Sequence, residues 1–278
     1  MDLSKKRPWL RKKLIFTAMA LILVMANGCG SDSSAKDTDQ DESLQKVLDS
    51  GQLVIGLDEE YPPMGFRDDS GEIVGFDIDV AKEVCNRLGI QLVTKPIDWS
   101  EKENELNSGN IDCIWNGMSV TPERAQAMNL SDPYMKNELI FVVSGNSNIE
   151  SMTDLKGCRI GMQAGSTTLD ALAETSLGTE ITIVEGDNNI ELYQMLNSGS
   201  LDAVLVDSIV SYWYISNSDE TFYVLPESLR EETFAVGFRK EDNALRDRVQ
   251  ELISEMKTDG TLRGISEKWF GSDITIVK

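Results

Sequence analysis

An arginine in the first turn of an expected helix and an aspartate at the end of a short apolar strand are the residues of this chain best suited to holding a small charged molecule. Thr121 and Pro122 read as a helix N-cap and first helical residue after an apolar run, Ile111 to Trp115, so Arg124 falls in the first turn. That end of a helix carries roughly half a positive charge and disfavours a cation. An arginine tolerated on the surface would account for it. The alternative is a ligand carboxylate at the helix start, taking a bidentate fork from Arg124 and further bonds from backbone N–H groups or the Ser119 hydroxyl. A shared anion turns the repulsion into cooperation. Asp207 ends the run Leu201 to Val206 just before Ser208-Ile-Val-Ser-Tyr-Trp-Tyr214. Its ordinary job there is to cap a helix. Facing a cleft whose opposite wall holds Arg124, it would instead suit an ammonium group, and the pair would suit a zwitterion.

The elements that must position these residues come in two copies. Leu106-Asn-Ser-Gly-Asn-Ile-Asp-Cys-Ile114 recurs ninety residues later as Leu196-Asn-Ser-Gly-Ser-Leu-Asp-Ala-Val204. In both, a helix is expected to end at Ser-Gly and a strand to begin with an acid. A weaker echo pairs Leu53-Val-Ile-Gly56 with Cys158-Arg-Ile-Gly161. The distance between echoes is 56 residues in the first copy (Ile55 to Ile111) and 41 in the second (Ile160 to Leu201). Met64 to Gly75, a hairpin around Asp68-Asp-Ser-Gly71, supplies much of the difference. A helix follows over 75–89, capped by an aspartate and stopped by Gly89. Leu245, Val249, Leu252, Ile253 and Met256 recur at helical spacing up to Gly260, and Leu262, Ile265, Trp269 and Phe270 form a last amphipathic stretch. Alternating strands and helices predict an open α/β sheet in each of two lobes, with ligands beyond the carboxyl ends of the strands.

The N-terminus is basic, and Leu14 to Ala26 form an apolar or weakly polar run of thirteen residues, the plan of a signal peptide and too short for a span of about 20 residues. Residues 1–28 are therefore expected to be removed. Cys29 follows small residues, as in the lipobox of bacterial lipoproteins, although Ala26 and Asn27 depart from that pattern; an ordinary thiol after a conventional cleavage site is the alternative. Residues 29–43 hold no large apolar side chain and read as a flexible tether. Asp37, Asp39 and Asp41 imitate the start of a calcium loop, but Glu42 and Leu48 stand where a glycine and a glutamate are needed. No metal is expected.

Removal of residues 1–28 leaves 20 basic against 46 acidic residues, a net charge of −26. Such a surface repels phosphate backbones, so nucleic acid is a poor partner. The chain contains no histidine, which excludes Ser-His-Asp and Cys-His nucleophiles and disfavours a typical zinc site. Cys85 and Cys113 fall on apolar stretches and read as buried free thiols; with Cys158 they make an odd set.

The chain resembles the extracytoplasmic amino-acid-binding proteins of bacterial ABC import systems, solute-binding protein family 3, of the type II periplasmic binding fold. The resemblance covers about residues 44–272. It rests on Asp58-Glu-Glu-Tyr-Pro-Pro63, Gly75-Phe-Asp-Ile-Asp-Val80, the Ser-Gly-x-Ile-Asp strand entry, and Ser119-Val-Thr-Pro-Glu-Arg124 with Ser131-Asp-Pro-Tyr134. Two further runs are Leu155-Lys-Gly-Cys-Arg-Ile-Gly-Met-Gln-Ala-Gly-Ser-Thr-Thr168 and Leu201-Asp-Ala-Val-Leu-Val-Asp207. The resemblance implies that Arg124 clamps the ligand α-carboxylate, aided by Ser119 and by Ser166, Thr167 and Thr168. It also implies that Asp207 and the Gly117 carbonyl take the α-ammonium, that Tyr61 and Trp99 flank the ligand, and that Asp58 reaches its side-chain end. Asn116 and Gln163 fall at variable wall positions. As alternatives, Trp99 belongs to the core and Gln163 to the surface. Cys158 stands where the family usually has a basic residue, which affects only local charge.

The resulting expectation is a lipoprotein held on the outer face of the cell membrane by Cys29. It would act as a monomer without cofactor or catalytic residue, and would pass a free amino acid to an ABC permease. Lobe 1 would comprise residues 44–141 and 232–278, and lobe 2 residues 142–231. Asp58, Asn116 and Gln163 favour a polar or cationic side chain, while Trp99 and Tyr61 could equally enclose an apolar one. Two other classes remain: a dehydratase of a cyclic amino-acid precursor on the same fold, with Asp58 as its acid or base, and a ligand-sensing lipoprotein.

Overall fold

The computed structural model describes residues 41–278; Cys29, the expected signal peptide and most of the expected tether lie outside them. In chain order the first part holds α1 (Ser43–Ser50), β1 (Gln52–Leu57), three short strands β2 (Glu60–Tyr61), β3 (Gly65–Arg67) and β4 (Ile73–Val74), then α2 (Phe76–Leu88) and β5 (Gln91–Pro96). It continues through α3 (Lys102–Asn107), β6 (Cys113–Ser119), α4 (Pro122–Ala127), β7 (Asn129–Leu130) and β8 (Met135–Ser144). The second part holds β9 (Arg159–Gln163), α5 (Thr168–Ala173), β10 (Thr182–Gly186), α6 (Asn189–Asn197), β11 (Ala203–Asp207) and α7 (Ser208–Asn217), before β12 (Phe222–Phe238), α8 (Asn243–Asp259) and α9 (Thr261–Phe270).

The repeat seen in the sequence is a repeat of topology. In one half β1 pairs in parallel with β5 and β6; in the other β9 pairs in parallel with β10 and β11. The registers correspond, with Ile55 opposite Cys113 and Ile160 opposite Ala203. The acid that opens each repeated strand does the same work twice: Asp112 Oδ2 accepts the Val54 N–H at 2.8 Å, and Asp202 Oδ2 accepts the Arg159 N–H at 2.7 Å. The extra length of the first half is the small sheet β2-β3-β4, with Phe66 opposite Val74 around the expected turn.

Between the halves run two long antiparallel strands, β8 and β12, so the main sheet has the order β10-β9-β11-β8-β12-β6-β1-β5. The expected lobe boundaries near residues 141 and 231 fall inside these strands. The β8–β12 ladder is unbroken from Arg230 opposite Leu139 to Phe234 opposite Met135, and register shifts crowd the end of β12 nearer Val224. After β12 the chain returns to the first half, where α8 and α9 pack with α1 and α2. The core follows the expected stripes: Val80, Ala81, Val84 and Cys85 of α2, and Leu245, Val249, Leu252, Ile253 and Met256 of α8, are buried. Cys85, Cys113 and Cys158 are free thiols; the first two are buried, and burial pushes Cys85 up to about 12. Among the described residues no helix is long and apolar enough to cross a membrane.

Three local expectations are corrected. Residues 41–43 do not belong to a tether: Asp41 Oδ2 and Ser43 Oγ accept the Ala244 and Leu245 N–H groups at 2.5 and 3.0 Å. They satisfy donors at the start of α8 that the Asp242 side chain leaves free. The 75–89 helix is not capped by an aspartate either. Gly75 is its N-cap residue, and the Asp77 side chain turns inward, where Oδ2 accepts the Gly117 N–H at 2.7 Å and the Tyr134 hydroxyl at 2.9 Å. The strand expected over Ile111 to Trp115 begins at Cys113 and runs on to Ser119, buried at every position.

Candidate ligand-binding site

The site lies where the parallel strands of both halves end, as expected for α/β sheets. Asp58 follows β1, Trp99 follows β5, Asn116, Gly117 and Ser119 close β6, Gln163 closes β9, and Asp207 closes β11. These residues, with Tyr61, Arg124, Ser166 and Thr167, enclose a cavity of about 20 Å3, room for about one water. Thr168 does not line it: its Oγ1 lies 2.6 Å from the Ser166 hydroxyl, within the first turn of α5.

Local chemistry aims each group. Thr121 caps α4 by accepting the Arg124 N–H at 3.1 Å, with Pro122 at the first helical position. This fixes the Arg124 backbone and turns its side chain back over β6, where it is only 7% exposed. Nη1 donates to the Ser119 carbonyl at 2.9 Å, and Nη2 reaches across to the Gly165 carbonyl of the other half at 3.3 Å. Burial pulls the guanidinium below its usual value, while the negative charges of Glu232 and Asp207 oppose that shift. Gly117 bends the end of β6 through φ +57°, and a Cβ there would sit 2.8 Å from the Tyr61 ring. Only glycine fits that turn against that ring.

Opposite Arg124, Asp207 occupies the N-cap position of α7 without capping it. Its Oδ2 accepts the Tyr61 hydroxyl at 2.7 Å, and its Oδ1 accepts the Asn137 amide. Burial, reinforced by the Glu232 charge, raises it to about 7. At the other end, Asp58 is 8% exposed; Oδ1 accepts the Glu60 N–H at 2.8 Å and Oδ2 accepts Gln163 Nε2 at 2.6 Å. Burial raises this carboxyl too, helped by Glu59 and Asp98. Gln163 is buried and held by Asn189, whose Nδ2 donates to Gln163 Oε1 at 3.1 Å. Asn116 accepts the Asp58 N–H at 3.0 Å and keeps an unpartnered amide N–H2. Trp99 serves both readings made of it, packed with Leu106 and Ile111 on one side and walling the cavity on the other.

The structure thus gathers eleven of the twelve expected ligand residues around one cavity. Family 3 of the bacterial extracellular solute-binding proteins matches residues 53–272. The chain belongs to this family. It is 32% identical over 258 residues to the L-cystine-binding protein TcyJ of Escherichia coli (strain K12), covering 92% of this chain and 96% of that protein. Among solved structures, Tv2483 bound to L-arginine superposes with a TM-score of 0.82 at 34% identity, over 85% of this chain and 98% of that one. An ABC uptake transporter substrate-binding protein from Streptococcus pneumoniae with bound histidine gives 0.80 at 34% identity, over 86% and 99%. The architecture is therefore that of the type II periplasmic binding proteins.

Several polar residues of this family 3 member escaped the sequence reading. Lys102 is 5% exposed, and its Nζ donates to the Trp99 and Gly165 carbonyls at 3.1 and 2.9 Å; burial and the nearby Arg124 charge lower it to about 8. Asn137, Asn189 and Glu232 stand behind the cavity wall, bonded to Asp207, to Gln163, and to Ser119 and Thr167. Each sits in a stretch whose sequence signal is that of its helix or strand. Only the fold shows which face meets the cavity.

Proposed function

We propose that this protein is an extracytoplasmic receptor that captures a free amino acid by closing its two halves upon it and delivers it to an ABC importer. The observation that supports this most is the placement of Arg124 and Asp207 on opposite halves of one enclosed cavity. A guanidinium fork suits a carboxylate, and a desolvated carboxylate suits an ammonium. Closure follows from the same geometry, because a ligand bridging both walls stabilises only the closed state. Residues 44–141 with 232–278 form one lobe and 142–231 the other, and the β8–β12 ribbon is the connection that flexes.

The far end of the cavity favours a positively charged group. Asp58 is buried with an amide and a backbone N–H as its partners and, among the described residues, no basic residue bonded to it. A guanidinium, an imidazolium or a second α-ammonium at the distal end of the ligand would supply the missing charge. The relatives' arginine, histidine and cystine each offer such a group. The receptor acts as a monomer, held to the outer face of the membrane through a lipidated Cys29, and its partner is the importer's permease.

A thermal-shift screen of the common amino acids and cystine tests this reading. A ligand at 100 times its Kd stabilises by about 2.7 kcal/mol. Cationic amino acids or cystine should raise the Tm, and aliphatic ones should not. No shift with any amino acid would overturn the proposal.

A further inference from the structure

One buried carboxylate, invisible in the sequence pattern, ties the two halves of the site together. Glu232 lies on β12 with its side chain only 2% exposed. Its Oε2 accepts the Ser119 hydroxyl at the end of β6, in the first half. Its Oε1 accepts the Thr167 hydroxyl of the second half at 2.8 Å, and Arg230 Nη2 and Nε donate to the same oxygen at 2.6 and 3.1 Å. Arg230 Nη2 also donates to the Thr167 carbonyl at 3.2 Å.

Two consequences follow. A hydroxyl has one proton. With those of Ser119 and Thr167 committed to Glu232, both hydroxyls present only lone pairs to the cavity. A ligand carboxylate must then be held by Arg124 and by backbone N–H groups, while the hydroxyls serve closure. The arrangement also exists only when the halves are together, since one donor comes from each. Opening would expose the carboxylate to water and part it from Thr167, while its bond with Ser119 stays within the first half.

We propose that Glu232 is the closure latch of this receptor, a positioning residue that sets how long the cleft stays shut without touching the ligand. The proposal rests on the reading of the protein as a lobe-closing receptor. The opposite sense is that Glu232 competes with the ligand carboxylate for the same hydroxyls, so that its removal tightens binding.

Glu232→Ala and Glu232→Gln decide between them. The readouts are small-angle scattering of the ligand-free protein, thermal melting, and stopped-flow dissociation of L-arginine, L-histidine or L-cystine, whichever binds. The alanine variant should scatter as a more open particle and release its ligand about tenfold faster or more, since hydrogen bonds to charged groups are the stronger ones. The glutamine variant keeps an acceptor oxygen and should fall between it and wild type. Unchanged scattering in a folded alanine variant, or tighter ligand binding, would overturn the latch. Should the alanine variant not melt cooperatively, a wild-type release rate in the glutamine variant would do the same. If no probe binds even the wild type, the receptor reading fails, and the scattering comparison still tests the latch.

Discussion

Acidification should weaken ligand binding through Asp207. Burial and the Glu232 charge raise this carboxyl to about 7 before a ligand ammonium arrives. An ammonium beside it favours the ionised form and draws the value back down. Binding therefore releases a proton wherever the free carboxyl is protonated, so affinity rises with pH up to about 7 and then levels off. Below 7 the Kd should climb roughly tenfold per pH unit, to about a hundredfold at pH 5. The ligand's own α-carboxyl, made more acidic by the adjacent ammonium than a chain-terminal carboxyl of about 3.5, stays ionised over this range. Titration calorimetry from pH 5 to 8, repeated in buffers of different ionisation enthalpy, measures both the slope and the protons released. Asp207→Asn should bind weakly at pH 8 and lose most of the pH dependence, since only Asp58 would then still titrate against the ligand. A Kd in the wild type that does not change between pH 5 and 8, or the same slope in the asparagine variant, would refute the reasoning.

Two further tests address the scaffold. Asp77, fully buried beneath the Gly117 peptide, is also raised to about 7, by burial. Between its ordinary value of 3.8 and 7 the folded state binds more protons than the unfolded, so the stability that these protons confer is lost as pH rises through 7. The ligand-free protein should melt higher at pH 5.5 than at pH 8, with part of that slope missing in Asp77→Asn; a Tm that rises toward pH 8 would contradict this. At Gly165, φ is +70° and a Cβ would sit 2.7 Å from the Ser100 Cα across the cleft. Gly165→Ala should therefore weaken ligand binding more than tenfold, because closure is worth several kcal/mol of cross-cleft contact, while the ligand-free Tm falls by only a few degrees. Full affinity in this variant would show that the 165–168 loop does not approach Ser100 in the bound state.

The sequence carried the scaffold because its signals are local or repeated. Gly89 and Gly260 end helices in the left-handed conformation as read. Thr121 and Pro122 start α4, and the Ser-Gly-x-(Ile/Leu)-Asp echo marks strands that pair in the same register in both halves. Arg124 and Asp207 were readable for the same reason, each being anchored to one of these marked starts. What escaped depends on distant pairing. An aspartate two residues into a helix looks like a capping or first-turn acid, and nothing nearby in sequence says that Asp77 will meet Gly117, forty residues away. Glu232 stands among exposed acids on β12, and only its register against β8 and its meeting with Ser119 and Thr167 make it an interior group. Asp41 and Ser43 looked like the end of a linker because the donors they satisfy lie some two hundred residues on.

The central claim is that Arg124 holds the carboxylate of a dipolar guest whose ammonium faces Asp207. A double-mutant cycle by titration calorimetry tests it most directly, pairing Arg124→Ala with removal of the ligand carboxylate: L-arginine against agmatine, L-histidine against histamine, or L-cystine against its singly decarboxylated analogue. In the wild type the carboxylate should contribute about 2 to 5 kcal/mol, as for a buried charge pair, and in Arg124→Ala that difference should nearly vanish. An undiminished preference for the carboxylate-bearing ligand in Arg124→Ala would show that some other group grips it.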